Sequence, residues 1–155
     1  MEPSVKITFQ TANTAAARAM LDSLWDEIQR RYEFTAPNPM RPEDFIGPRA
    51  GFWLAQVEHQ PVGSIRFTSW SEDIAELDAM YVVPEFRGRG IAQQLMSTLE
   101  TYTRQHPFNA LRLRAGEPQP EALRFYEKMG FHRIPCFGKW VADPTAQCFE
   151  KQLEL

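Results

Sequence analysis

The segment Tyr81-Val82-Val83-Pro84-Glu85-Phe86-Arg87-Gly88-Arg89-Gly90-Ile91-Ala92 constrains this chain more than any other. An apolar strand enters a short loop with two glycines and two arginines, and the loop opens directly into a helix. That helix carries Ile91, Leu95, Leu99 and Tyr102 on one face. The first amides of a helix have no internal partners, and the macrodipole places partial positive charge there. Glycine lets the backbone approach an anion closely and adopt positive φ. The segment is therefore expected to hold a phosphate-bearing cofactor at the start of the helix after Gly90. Two other phosphate loops are excluded by spacing. A P-loop would need Gly, four residues, then Gly-Lys-Ser/Thr. A dinucleotide fingerprint would need a third glycine where Gln93 stands.

A second segment, Pro120-Glu121-Ala122-Leu123-Arg124-Phe125-Tyr126-Glu127-Lys128-Met129-Gly130-Phe131, reads as a helix with both ends marked. Pro120 suits the first position and Glu121 the first turn. Ala122, Phe125 and Met129 form the inward stripe, and Gly130 is a natural residue just past the end.

The strand and helix pattern orders the rest. Val5 to Gln10 alternates as a strand. Thr11 or Asn13 can cap a long helix reaching Tyr32, with Met20, Leu24 and Ile28 inward. The stretch from Glu33 to Arg49 contains Pro37, Pro39, Pro42 and Pro48, so it cannot be regular throughout, though a short helix can start near Pro42. Phe52 to Glu58 and Val62 to Trp70 read as strands around a turn at His59-Gln60-Pro61, and Ile74 to Val82 is the next strand. Ala110 to Ala115, Phe131 to Ile134 and Gln147 to Leu153 complete the set. A hairpin-spaced meander followed by β-α-β implies an α/β mixed sheet with helices on both faces, in one domain over residues 1–155.

Composition narrows the function class. The chain has 155 residues with 43% hydrophobic and 24% charged, ordinary for a globular protein. Net charge is -3, so no basic field recruits nucleic acid. No apolar run approaches a membrane span and no signal peptide is evident at the start, so a cytoplasmic protein is expected. Cys136 and Cys148 are then expected to be reduced. His59, His106 and His132 lack ligand spacing, and no metal site is expected.

The first segment contains Arg87-x-x-Gly90-x-Ala92 after Val82-Val83-Pro84. It resembles the acyl-CoA-binding motif of the GCN5-related N-acetyltransferase (GNAT) family. The second segment resembles that family's second motif, A-x-x-x-Y-E-K-x-G-F. The two come in the family's order, and the element order matches its fold, a central mostly antiparallel sheet. The resemblance implies acetyl-CoA as co-substrate, with no metal. Its pyrophosphate would meet Arg87, Gly88, Arg89, Gly90, Ile91 and Ala92. Pantetheine would pair with the backbone of Met80, Tyr81 and Val82, where the strand parts from its neighbour. Tyr126 matches the family's general acid, since a phenol is protonated at neutral pH and can serve a leaving thiolate. Glu76 stands where some members carry a base, with Asp78 a second candidate on the same strand face if no bulge intervenes. Gln119 occupies a position where many members have asparagine.

The acceptor is less constrained. A small-molecule amine is expected, bordered by the first helix and the proline segment, with Phe34, Arg41, Phe45, Phe52, Trp53, Arg66 and Trp70 as candidate lining. Arg41 or Arg66 could hold a carboxylate. A CoA-binding sensor without turnover, and acetylation of protein lysines or N-termini, remain open beside it. The last strand, Cys148 to Leu153, could pair within the sheet or with a second subunit as a homodimer.

Overall fold

The protein is described from a computed structural model covering residues 4–11, 13–45 and 47–153, without the side chains of Pro42 and Phe45. Its elements in chain order are β1 (Val5–Phe9), α1 (Ala15–Tyr32), β2 (Ala50–Val57), β3 (Gln60–Ser69), β4 (Ile74–Val82) and α2 (Ile91–Gln105). They are followed by β5 (Ala110–Gly116), α3 (Pro120–Lys128), β6 (His132–Ile134) and β7 (Ala146–Gln152). The seven strands make one sheet in the order β1-β2-β3-β4-β5-β7-β6. Only β4 and β5 run parallel; the other pairings are antiparallel.

Alternation along the strands sorts the core into two layers. Phe52, Leu54, Ala79 and Tyr81 face α1, which contributes Ala17, Met20, Leu21 and Leu24. Trp53, Ala55, Val57, Ala75, Leu77, Leu111 and Leu113 face the other way, against Ile91, Leu95, Met96 and Leu99 of α2 and Tyr126 of α3. The cap of α1 is Thr14, whose hydroxyl accepts from the Ala17 amide at 3.1 Å. It stands one residue beyond Asn13 and three beyond Thr11, the residues expected to cap the helix. The hairpin between β2 and β3 turns at Glu58 and His59, both at positive φ (50° and 68°). Pro61 therefore lies inside β3 opposite Gln56, at a register shift, rather than in the turn.

β4 is the element that makes room for function. Arg66 of β3 lies opposite Asp78, but Ser64 lies opposite Tyr81, so Ala79 and Met80 together oppose Ile65. This is a β-bulge, and Ala79 carries its strain at φ 50°. The extra residue reverses the parity of the strand. Ala75 and Leu77 face α2, whereas Ala79 and Tyr81 face α1. The bulge falls after Asp78, so Glu76 and Asp78 stay on one face as the alternation predicts. On its other edge, β4 pairs with β5 only from Ile74 to Leu77. Beyond that point β5 pairs with β7 out to Gly116, and among the described residues no strand pairs with that edge of β4 over residues 78–82.

One expectation changes here. Cys136 and Cys148 are joined as a disulfide, with Cα atoms 5.1 Å apart, not reduced. The reason is register: β6 pairs Ile134 with Cys148, so Cys136 emerges next to it. The last strand, β7, lies between β5 and β6 inside the sheet, which takes up the pairing left open to a second subunit. Among the described residues no helix is long and apolar enough to cross a membrane, and no cluster of His, Cys, Asp or Glu could hold a metal ion.

Candidate active site

The gap between β4 and β5 opens into two connected cavities. The larger, about 520 Å³, is lined by Met80, Tyr81 and Val82, by Arg87, Gly88, Gly90, Ile91 and Ala92, and by Gln119, Ala122, Phe125 and Tyr126. Of the residues expected to bind cofactor, only Arg89 does not line it. Its guanidinium stacks on Phe86, 4.7 Å from the ring centre, on the exposed side of the loop. Gly88 and Gly90 both have φ 81°, and a Cβ placed on either would meet nothing within 4 Å. α2 therefore starts at a left-handed glycine with no side-chain cap, leaving its first amides open.

Arg87 is placed differently from a simple phosphate clamp. Its Nε donates to the Val82 carbonyl at 2.8 Å and its terminal nitrogen to Glu27 at 2.8 Å. Its charge is thus partly answered before any ligand arrives, and it ties the glycine loop to β4 and α1. Glu27, only 8% exposed, also faces Arg31 at 3.8 Å. Glu27 is not among the residues that motif and spacing single out. The available signal was an acid three residues after Leu24 on the buried stripe of α1, where a charge needs a partner. Burial first, then the Glu27 charge, raises the Tyr81 phenol above its ordinary value.

Tyr126 is buried at 7% exposed and lines both cavities. Burial, with a contribution from the Asp78 carboxylate, raises its pKa well above that of a free phenol. The group stays protonated across the neutral range.

The smaller cavity, about 290 Å³, lies on the α1 face of the sheet. It joins Glu76 and Asp78 of β4 to Leu24, Trp25 and Ile28 of α1, and to Pro39 and Met40 of the proline segment. That segment is pinned by Asn38, whose amide donates to the Leu21 carbonyl at 3.3 Å and to Asp22 at 3.0 Å. Glu76 accepts a hydrogen bond from the Trp140 indole at 3.1 Å. Asp78 is held in a two-pronged ion pair with Arg66. Asp78 is thus engaged by a cation within the protein, and Arg66 is not free for a substrate carboxylate. On the far wall, Arg114 donates to the Tyr32 hydroxyl, Asp143 and Thr145, all at 2.9 Å. Tyr32 in turn donates to the Gln119 side chain at 2.8 Å. Gln119 thus reaches the larger cavity with its side-chain oxygen already bonded.

Of the seven residues expected to line the acceptor site, Arg66 does so. Phe52 and Trp53 are core, at 1% and 4% exposed. Their strand is flanked by β1 and β3, and its two faces pack toward α1 and α2. Phe34 and Trp70 sit on the surface outside this cavity, and Arg41 pairs with Glu43 at 3.0 Å. The Phe45 side chain lies outside the described residues. Trp140, Lys139 and Arg114, which do line the cavity, were missed because long-range strand pairing brings them there. The cue for Trp140 was an aromatic residue in a polar turn, next to a cysteine pair.

An open-ended helix amide cradle, a strand with one edge unpaired and a buried tyrosine between two cavities are the parts that this fold brings together. The chain belongs to the Acetyltransferase (GNAT) family, whose profile matches residues 17–131. Over 90 residues it is 31% identical to the uncharacterized N-acetyltransferase YjgM of Escherichia coli, covering 56% of this chain and 54% of that protein. The chain spans about half the length of the curated relatives it matches. A GNAT-family acetyltransferase structure from Staphylococcus aureus superposes with a TM-score of 0.80 at 16% identity, covering 96% of this chain and 100% of the other. A GNAT-family acetyltransferase from Elizabethkingia anophelis with acetyl-CoA bound gives 0.68 at 16% identity, covering 96% and 98%. These two likenesses establish the fold.

Proposed function

We propose that the chain, as one domain, is an acetyl-CoA-dependent N-acetyltransferase that acetylates a primary amine of a small molecule by direct transfer. The observation that carries this is Tyr126 facing both the open-amide cleft and the acid-lined cavity. The acetyl-CoA-bound fold relative from Elizabethkingia anophelis supports the choice of donor.

In this mechanism the amides that open α2 meet the pyrophosphate, and the free edge of β4 pairs with pantetheine. Glu76, through a water, takes a proton from the substrate ammonium. The neutral nitrogen attacks the thioester carbonyl, forming the C–N bond as the C–S bond breaks. Tyr126 donates a hydrogen bond to the sulfur as negative charge develops there. A phenol whose pKa is raised above about 10 is a weaker acid than a thiol of about 8.5. Full proton delivery therefore depends on the proton that the attacking nitrogen releases, which restores the tyrosine. A small cavity with carboxylates on its floor favours a compact amine over a protein surface.

The test is release of CoA thiol with a panel of amines, run beside labelled acetyl-CoA and a cell lysate. Turnover of small amines supports the proposal. Failure to bind acetyl-CoA by calorimetry would overturn it. Label appearing only in protein would reassign the acceptor.

A further inference from the structure

Beside Tyr126, six acidic or basic side chains line the acceptor cavity: Asp44, Arg66, Glu76, Asp78, Arg114 and Lys139. Internal pairing accounts for three of them. Arg66 is paired with Asp78, and Arg114 with Asp143. Three remain without an ion-pair partner among the described residues, namely Asp44, Glu76 and Lys139. Asp44 lies on the turn that follows Arg41. The other two flank the same indole. Glu76 accepts from the Trp140 ring N–H at 3.1 Å, and the Lys139 ammonium sits 4.6 Å from the centre of the same ring. They do not pair with each other. Trp140 separates them, and it is itself fixed by Arg114, 5.4 Å from its centre. Thus one cation and one carboxylate are held apart on a rigid aromatic spacer and face one small cavity.

Resting on the acetyltransferase proposal above, we infer that the acceptor is a small amino-carboxylate zwitterion, its amine placed at Glu76 and its carboxylate at Lys139. An amine without a carboxylate would leave Lys139 unanswered. A dicationic amine would be repelled by it. The unpaired Asp44 adds negative charge to the cavity, so a ligand carboxylate has reason to avoid the rest of the wall and settle on Lys139. Arg41 and Arg66, the cations that the sequence singled out for this task, are already paired within the protein.

The experiment compares matched acceptors that differ only in the carboxylate: 4-aminobutyrate with butylamine, phenylalanine with phenethylamine, and lysine with cadaverine. Thiol release is followed at saturating acetyl-CoA. The wild type is expected to favour the amino acid of at least one pair. Lys139→Met should lower the ratio of kcat/KM for amino acid over amine about tenfold, the loss of one charge-assisted bond. Lys139→Glu should lower it further. Because Lys139 is an exposed side chain, both variants are expected to fold, which a melting curve verifies. Turnover of the amines with no preference for their carboxylated partners overturns the zwitterion while leaving the acetyltransferase standing. An unchanged ratio in both variants does the same. Bound acetyl-CoA with turnover of neither series overturns both.

Discussion

In the proposed reaction Tyr126 and Glu76 divide the chemistry, and each can be tested. Tyr126→Phe keeps the ring that packs against Phe125, Phe131 and Phe149 and removes only the hydroxyl. We expect kcat to fall about 10²–10³-fold, as for loss of a general acid, with KM for acetyl-CoA little changed. Because the phenol titrates well above neutrality, no loss of rate assignable to Tyr126 should be seen between pH 6 and about pH 9. A basic limb in that range that vanishes in Tyr126→Phe would contradict this placement. Trp140 acts one step removed, through its bond to Glu76. Trp140→Phe should lower kcat/KM in the wild type and cost nothing further in a Glu76→Gln background, a coupling that a double-mutant cycle reads directly. Asp143 gives a stability prediction with a sign. Burial opposes its ionisation, but the Thr145 amide and hydroxyl and the Arg114 charge outweigh this and hold its carboxyl below the ordinary value. A lowered folded-state pKa means stabilisation that is present at neutral pH and disappears as pH falls through that pKa. Asp143→Asn should therefore destabilise the protein at pH 7 and match the wild type in acid, where denaturant melts at the two pH values would separate them.

At the scale of elements, the glycine loop and the disulfide turn are the parts most open to test. Gly90 sits at φ 81° over open space, so Gly90→Val should cost about 1–2 kcal/mol in backbone strain. Its side chain would also occupy the volume an anion needs, so KM for acetyl-CoA should rise well beyond what that small loss explains. The Cys136–Cys148 bond closes a loop across 12 residues that includes the turn Gly138–Trp140. Cys136→Ala/Cys148→Ala should lower stability by about 3 kcal/mol in the chain-entropy account. It should raise KM for the acceptor more than KM for acetyl-CoA, because the turn carries Lys139 and Trp140 and touches only the acceptor side. These elements also show what a sequence reveals. The strand-loop-helix from Tyr81 to Ala92 and the Tyr126 helix are local, marked by glycine, proline and spacing, and they lie where the pattern puts them. Arg89 stacks on Phe86 rather than lining the cavity, because spacing places a residue on a loop without saying which way its side chain leaves it. The acceptor wall was mostly illegible. Arg114, Trp140 and Lys139 come from the far end of the chain, and only the pairing of β5 with β7 brings that end to α1. The cysteine pair failed for the same reason, since its closeness depends on the register of β6 against β7.

For the whole molecule, the cofactor cleft collects residues from α1, β4, α2 and α3, which are otherwise joined mainly through the sheet. A ligand spanning them should strengthen the assembly as a unit. At a hundredfold excess over Kd, acetyl-CoA should add about 2.7 kcal/mol, or roughly 5–10 °C in Tm for a chain of this size. An unmoved melting curve at millimolar acetyl-CoA would remove the donor from the mechanism. The bulge at Ala79 has a further consequence. One surplus residue in β4 acts as a parity switch: before it the strand presents acids to the acceptor, and after it the same face presents Tyr81 to α1. A chain lacking Ala79 would keep every large side chain of its core. Its last strand residues would nonetheless be turned inside out. The facing of Tyr81 toward α1 thus depends on a count of one, while the rest of the core depends only on alternation.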